Sequence, residues 1–202
     1  LKEETLTKIE YASSKGVQAY VFTAGANLDE RTCQLLAEHR TNVMISLFGN
    51  RFIDAAFFEG KVYASLPKPF QNEAEIAENL RRLIKAYKDS SNQPVASTTR
   101  IGMNYVISER DLTDQKRIKE LKEAANKQGI AFFCNTDFVP HPNPKIQEQL
   151  ARLATEYADF NLRNTTAVNG QCQMGAGSSA TVDFAGTLFR CPYMSGKGDG
   201  KL

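Results

Sequence analysis

The sequence predicts an α/β fold built on a parallel sheet. Short apolar runs favour strands, amphipathic segments favour helices, and the two alternate along the chain at a spacing of roughly 25–50 residues. Such alternation is typical of βαβ units with right-handed crossovers. After residue 160 the helical patterns give way to glycine- and serine-rich sequence. We therefore expect one domain over residues 1–160 and a second, smaller one over 161–202.

Strands are expected where β-prone, apolar residues cluster: residues 17–23, 42–48, 97–107 and 130–134. The first of these is predicted to be a buried strand. In parallel sheets, ligands lie at the carboxyl ends of the strands. Those ends are residues 23–25, 46–50, 106–110 and 135–137. Asp137 there either faces a substrate or belongs to a turn.

Helices are expected where apolar residues recur at helical spacing: residues 3–15, 28–40, 72–87, 111–128 and 145–158, with a short helix near 52–58. Asn27, with Glu30 three residues later, predicts the cap of the second helix. Asn72 and Glu75 form the same pattern ahead of the third. Gly129 marks the end of the helix that precedes the fourth strand.

Composition excludes several classes of protein. The 202 residues carry 25 Lys plus Arg and 23 Asp plus Glu, a net charge of +2. No broad basic field draws such a chain onto nucleic acid or an anionic membrane, so neither partner is expected. No apolar run approaches the ~18 residues of a membrane span. Four cysteines are too few for a disulfide scaffold, which favours a reduced, cytoplasmic setting.

Cys172 and Cys191 flank a predicted β-hairpin. Its arms are residues 180–184 and 187–191, with Gly186 in the turn. Because a hairpin folds the chain back on itself, the two thiols are able to meet. Soft thiolates at such a turn suit zinc or an iron–sulfur cluster. Two unrelated reduced cysteines, or an adventitious disulfide, are the alternatives.

The spacing of this segment resembles a known family motif. Cys172, Gly186 and Cys191 have the form C-x13-G-x4-C, which is similar to the opening of the SPASM/twitch extension of radical S-adenosylmethionine (SAM) enzymes, C-x9–15-G-x4-C. Residues 182–192 are also similar to the family's I-D-x-x-G-x-V-x-P-C-P, with Ala185 where Asp is usual. The resemblance implies that the two cysteines ligate an auxiliary 4Fe-4S cluster.

The upstream sequence resembles the same family. Residues 9–28 are similar to I-x-Y-A-x-x-x-G…T-N-G-x-L, with Ala24 in place of Asn. Residues 43–49 are similar to V-x-I-S-L-D-G, with Phe48 in place of Asp, and residues 101–108 fill the strand that follows. The resemblance implies a partial (β/α)6 radical SAM-type barrel followed by a small β-hairpin auxiliary-cluster domain.

The family's SAM-contacting residues map onto two strands. A serine on the fourth strand of the barrel matches Ser46, and the next strand contributes contacts at the positions of Asn104 and Val106. The C-x3-C-x2-C loop and the Gly-Gly-Glu segment of the family belong upstream of Leu1, and the later SPASM cysteines belong beyond Leu202. The chain is therefore expected to be an internal portion that does not cleave SAM alone.

The implied function is that of a radical SAM/SPASM oxidoreductase. The full protein would cleave SAM reductively to a 5′-deoxyadenosyl radical and abstract hydrogen from a peptide or protein substrate. An electron donor such as a flavodoxin or ferredoxin is implied. Two alternatives stay open: a non-catalytic α/β binding module whose cysteine hairpin holds a structural metal such as zinc, and a degenerate relative that lost its SAM cluster and keeps a scaffold role.

Other candidate residues have simpler interpretations. Cys33 and Cys134 lie in apolar segments and are predicted to be small buried hydrophobes, with a site role left open for Cys134 at its strand end. His39 is expected at a solvated helix end and His141 in a loop. Residues 109–111, an alternation of charges, are predicted to form a solvated loop rather than a catalytic cluster.

Overall fold

A computed structural model describes most of the residues up to 157 and short pairs of strands after them. The described residues are 3–48, 55–58, 71–90, 100–137, 141–157, 167–168, 171–172, 181–182 and 187–189. The chain divides into two compact units, Leu1–Ala158 and Asp159–Leu202.

Strands and helices alternate through the first unit. The strands are β1 (Tyr20–Thr23), β2 (Asn42–Phe48), β3 (Ile101–Ile107) and β4 (Ala131–Thr136). The helices are α1 (Glu3–Ser14), α2 (Glu30–Glu38), α3 (Gln71–Asp89), α4 (Glu109–Thr113), α5 (Gln115–Lys127) and α6 (Pro144–Tyr157). A short 3-10 turn covers Ala55–Phe58. No helix within the described ranges is long and apolar enough to cross a membrane.

The four strands form one parallel sheet in the order β1-β2-β3-β4. The register pairs Val21 with Val43, and Ile45 with Met103. Each strand lies beside the strand that precedes it, so every crossover steps in the same direction. Since crossovers are right-handed almost without exception, helices inserted by such steps lie on the same face of the sheet. The α/β class and the parallel sheet predicted from the sequence are confirmed.

The core lies between the sheet and the helices. Along β2 buried and half-buried residues alternate, because successive side chains of a strand point to opposite faces. Val43, Ile45 and Leu47 point into the core, where they join buried residues of α2, α3 and α5 in one hydrophobic cluster. Burial of this apolar area is the main source of stability of the unit.

The loop after β1 is fixed to helix α3. Gly25 has a φ of +85°, a left-handed conformation that favours glycine. Its N–H donates to Thr23 Oγ1 at 3.1 Å, and its carbonyl accepts from Asn79 Nδ2 at 2.9 Å. Asn79 is buried in α3 and also accepts a hydrogen bond from Arg82. The carboxyl end of β1 is thereby held against the neighbouring helix.

Two details of the first strand and helix were predicted wrongly. The prediction of a buried strand over 17–23 is wrong because β1 begins at Tyr20 and is the edge strand, with Tyr20 69% and Phe22 72% exposed. The cap of α2 is Asp29 rather than Asn27. Asp29 Oδ1 accepts the N–H of Thr32 at 2.8 Å. Hydrogen bonds from the side chain and then from the backbone of Thr32 lower the pKa of the Asp29 carboxyl group. Asn27 instead adopts a left-handed φ of +54°.

Other boundaries differ by a few residues. Helix α3 begins at Gln71, so Asn72 lies in its first turn and is not its cap. The predicted third strand is described from Ile101, and residues 97–99 lie outside the described residues. The predicted helix over 111–128 is two helices, α4 and α5, which meet at Asp114.

The second unit contains two short antiparallel pairs. Strand β5 (Ala167–Val168) pairs with β6 (Gln171–Cys172), and β7 (Thr181–Val182) pairs with β8 (Leu188–Phe189). The second pair agrees with the antiparallel pairing expected for the two arms, whereas the predicted turn at Gly186 lies outside the described residues.

Two glycines with positive φ allow the cost of backbone strain to be measured apart from the cost of a steric contact. A Cβ added at Gly25 would lie 3.0 Å from Ile76 Cγ2, whereas one added at Gly16, with φ +72°, meets nothing within 4 Å. Gly16→Ala should therefore lower the free energy of unfolding by about 1 kcal/mol. Gly25→Ala should lower it by a further ~1–3 kcal/mol. Urea denaturation followed by circular dichroism measures both, and equal losses would contradict the steric contact.

Candidate functional site

One face of the sheet remains open to solvent in its outer part. In contrast to the residues of the core face, the side chains of this face are half-buried or exposed. They are Tyr20, Phe22, Met44, Ser46, Phe48, Asn104, Val106, Phe133 and Asn135. We call this set the open face. Parallel sheets are normally covered on both faces, so a face of this kind is a candidate binding surface.

The predicted SAM-contacting residues lie together on the open face. Ser46 is the register partner of Asn104 on the adjacent strand, and Phe48 is the partner of Val106. Asn135 of β4 donates a hydrogen bond from Nδ2 to Asn104 Oδ1. The three predicted residues thus occupy neighbouring positions on β2 and β3, near their carboxyl ends. Their role in SAM binding stays a prediction.

The amino-terminal half of the open face is apolar. Gly102 lies beneath the end of the Met44 side chain, since a Cβ at this position would be 2.7 Å from Met44 Cε. It would also lie 3.2 Å from Phe133 Cε2. Met44 and Phe133 therefore pack over Gly102 and form a small apolar platform beside the polar Ser46 and Asn104. A ligand with an apolar face and hydrogen-bonding edges matches this combination.

A buried carboxylate fixes the turn that follows β3. Asp111 is 0% exposed and its Oδ2 accepts hydrogen bonds from the N–H of Ser108 at 2.8 Å and from its hydroxyl at 3.1 Å. Oδ1 accepts from the hydroxyl of Tyr105 at 2.7 Å and from Nη2 of Arg117. Arg117 is 5% exposed, so the ion pair lies in the core.

Tyr105 completes this network as a neutral donor. Burial, followed by the charge of Asp111, raises the pKa of Tyr105. Its hydroxyl therefore keeps its proton for Asp111, while its oxygen accepts from Arg117 Nη2 at 3.0 Å. The prediction of a solvated loop over 109–111 is wrong because these residues begin helix α4. Glu109 and Arg110 are exposed, as expected, whereas Asp111 is buried.

A second polar contact joins the start of α4, which follows β3, to the loop that follows β4. His141 Nε2 lies 2.5 Å from Glu109 Oε1. The side chain of His141 is 21% exposed and that of Glu109 is 61% exposed. The sequence predicted a loop position for His141 but did not relate it to Glu109, which is 32 residues away. The pair lies at the carboxyl edge of the sheet, where ligands of parallel α/β folds bind.

The cysteines fall into two groups. Cys33 and Cys134 are buried, as predicted, and burial, followed by the charge of Asp29, raises the pKa of the Cys33 thiol to about 11. The Cys172 backbone lies in β6, but its side chain and all of Cys191 are outside the described residues. Within the described part of the chain, no group of three or more His, Cys, Asp or Glu is placed to hold a metal ion.

Comparison with known proteins leaves the family open, because no family model, curated protein or solved structure matches this chain. The resemblance to radical SAM enzymes therefore depends on the sequence motifs quoted above.

Sequence reasoning missed Asp111 and the Glu109–His141 contact. A signal for Asp111 was present, since Ser108 and Asp111 have the S-x-x-D spacing of a helix N-terminus that buries its acidic residue against the backbone. Glu109 and His141 are 32 residues apart, and no local sequence pattern predicts that their side chains meet.

The buried ion pair is expected to matter far more for stability than exposed pairs. Asp111→Ala leaves Arg117 buried without its carboxylate, so the free energy of unfolding should fall by about 3–5 kcal/mol. The matched control is Glu120→Ala, which removes the exposed pair with Lys116 and should change stability by at most about 0.5 kcal/mol. Urea denaturation measures both values. Similar losses in the two variants would show that the Asp111 network does not anchor the fold.

Proposed function

We propose that this chain carries the SAM-binding sheet and part of the auxiliary cluster site of a radical SAM/SPASM enzyme. The observation that carries the proposal is the position of Ser46, Asn104 and Val106. All three lie on the open face of a parallel sheet whose crossovers step in a single direction. An open inner face of this kind is what a partial barrel presents to its ligand.

The chemistry of the open face suits a nucleoside with a polar tail. Ser46 supplies a hydroxyl, and Asn104 and Asn135 supply amides that both donate and accept. Val106 and Phe48 offer apolar surface for the flat face of an adenine ring. Each side chain comes from a strand rather than a loop, so the hydrogen-bonded sheet fixes its position.

The cofactors implied by the proposal are SAM and 4Fe-4S clusters. When bound, SAM reduced by its cluster supplies a 5′-deoxyadenosyl radical that abstracts hydrogen from the substrate. Cys172 and Cys191 would hold part of the auxiliary cluster, because thiolates are the ligands that such clusters prefer. A peptide or protein substrate, a flavodoxin- or ferredoxin-like electron donor and a cytoplasmic location belong to the same proposal.

SAM binding tests the role of the open face. Equilibrium dialysis with labelled SAM should show saturable binding to the chain. Ser46→Ala should weaken that binding roughly two- to tenfold, the value of about one lost hydrogen bond. Ser14→Ala removes a hydroxyl from the exposed end of α1 and should leave the affinity unchanged. Equal affinities for Ser46→Ala and the unmodified chain would remove Ser46 from the site.

Iron incorporation tests the cysteine hairpin. After anaerobic reconstitution with ferrous iron and sulfide, visible absorbance and iron content should fall in Cys172→Ala and Cys191→Ala, because a cluster loses a ligand in each. Cys33→Ala and Cys134→Ala are matched controls at buried positions and should retain both signals. A colourless protein that binds zinc through the same two cysteines would instead favour the non-catalytic module with a structural metal hairpin.

A further inference from the structure

The Glu109–His141 contact joins the first turn of α4 to the loop after β4, at the carboxyl edge of the sheet. Glu109 is the first residue of α4 and follows β3 after Ser108 alone. His141 lies between β4 and α6. Their side chains approach to 2.5 Å between Glu109 Oε1 and His141 Nε2.

The imidazole of His141 is held in one orientation by its own loop. The N–H of Asn143 donates to His141 Nδ1 at 3.0 Å, whereas the carbonyl of Asn143 lies farther away at 3.3 Å. Because Nδ1 accepts from Asn143, the ring donates through Nε2, which points at Glu109 Oε1. The backbone N–H of His141 donates to Gln147 Oε1 at 2.7 Å, which fixes the loop to helix α6.

Glu109 is held from the other side by the buried network. Asp111 binds both the N–H and the hydroxyl of Ser108, the residue that immediately precedes Glu109. The turn that carries Glu109 is therefore anchored in the core through Asp111 and Arg117. A hydrogen bond between a base and a group that orients it is one of the geometric features of acid–base catalytic sites, and the Glu109–His141 contact has this form.

Stability alone does not account for this arrangement. An ion pair or hydrogen bond with one partner more than half exposed contributes little to the free energy of folding. The Glu109 side chain is 61% exposed, so a ligand at the carboxyl edge can reach its second oxygen. We propose that Glu109 and His141 form a proton-transfer dyad in which Glu109 is the base and His141 its positioning residue.

The ligand of this dyad is a molecule with a weakly acidic C–H, N–H or O–H group. Glu109 Oε2 takes the proton, and the bonding electron pair stays on the ligand. His141 continues to donate its Nε2 proton to Oε1 and so holds the carboxyl group in place. The resulting carboxylic acid returns its proton to water. This inference goes beyond the proposed function, since it holds whether or not the sheet binds SAM.

A general-base probe tests the dyad without knowledge of the natural ligand. In 5-nitrobenzisoxazole, a base removes the proton at C3, the C–H electrons form a nitrile, and the N–O bond breaks to give a coloured phenolate. The chain should release the phenolate at least about tenfold faster than Glu109→Gln, a threshold set below the roughly 10²–10⁴-fold effect of evolved general bases because the probe is not the natural ligand. Absorbance of the phenolate measures the rate.

Three further variants separate a catalytic role from a structural one. Glu123→Gln changes an exposed carboxylate on α5 and should keep the full rate. His141→Ala should lower the rate, whereas His141→Gln retains an N–H donor for Oε1 and should recover much of it. Circular dichroism should show the same folded structure in all variants. Equal rates for Glu109→Gln and the unmodified chain, or an equal loss in Glu123→Gln, would overturn the proposal.

Discussion

Every other feature of the first unit depends on a sheet whose crossovers step in a single direction. Because β1 to β4 follow one another in space as they do in sequence, right-handed crossovers place their helices on the same face. That face can then be filled with apolar side chains such as Ile45 and Tyr105, while alternate residues of the same strands form the open face. The core and the candidate site are thus two consequences of one topology. A one-residue shift in the register of a strand would move its core side chains to the open face and its open-face side chains into the core.

The buried carboxylate of Asp111 connects the core to the edge of this face. An ionised carboxylate is costly to bury unless hydrogen bonds and an opposite charge compensate for lost water. Here Ser108, Tyr105 and Arg117 supply both. A helix of five residues such as α4 gains little stability from its own hydrogen bonds. The network gives this short element a fixed position, and through it the orientation of Glu109.

The sequence predicted those parts of the fold that depend on local periodicity. Strand 42–48 is found with the same bounds, because it is a short run of mostly apolar, β-prone residues that a glycine follows. Periodicity does not distinguish an edge strand from a central one, so the apolar run at 17–23 was predicted to be a buried strand. Among the described strands, β1 lies at the edge of the sheet and pairs with β2. Likewise, Asn27 and Asp29 are both capping residue types, and the backbone conformation alone decides between them. The Glu109–His141 contact was out of reach because it joins residues that only tertiary structure brings together.

Polar residues within the strands carry information that the apolar pattern lacks. In a parallel sheet covered by helices on both faces, strands are almost continuously apolar, and a serine or an asparagine in their middle would be buried without partners. Ser46 and Asn104 stand at such central positions, and each is half-buried on the open face. Asn104 Oδ1 already accepts from Asn135, but an apolar layer over this face would offer no partner to the Ser46 hydroxyl or to Asn104 Nδ2, at a cost of about 1–3 kcal/mol each. In the proposed function, the ligand on the open face offers hydrogen-bonding groups to Ser46 and Asn104 and apolar surface to Val106, as a nucleoside does.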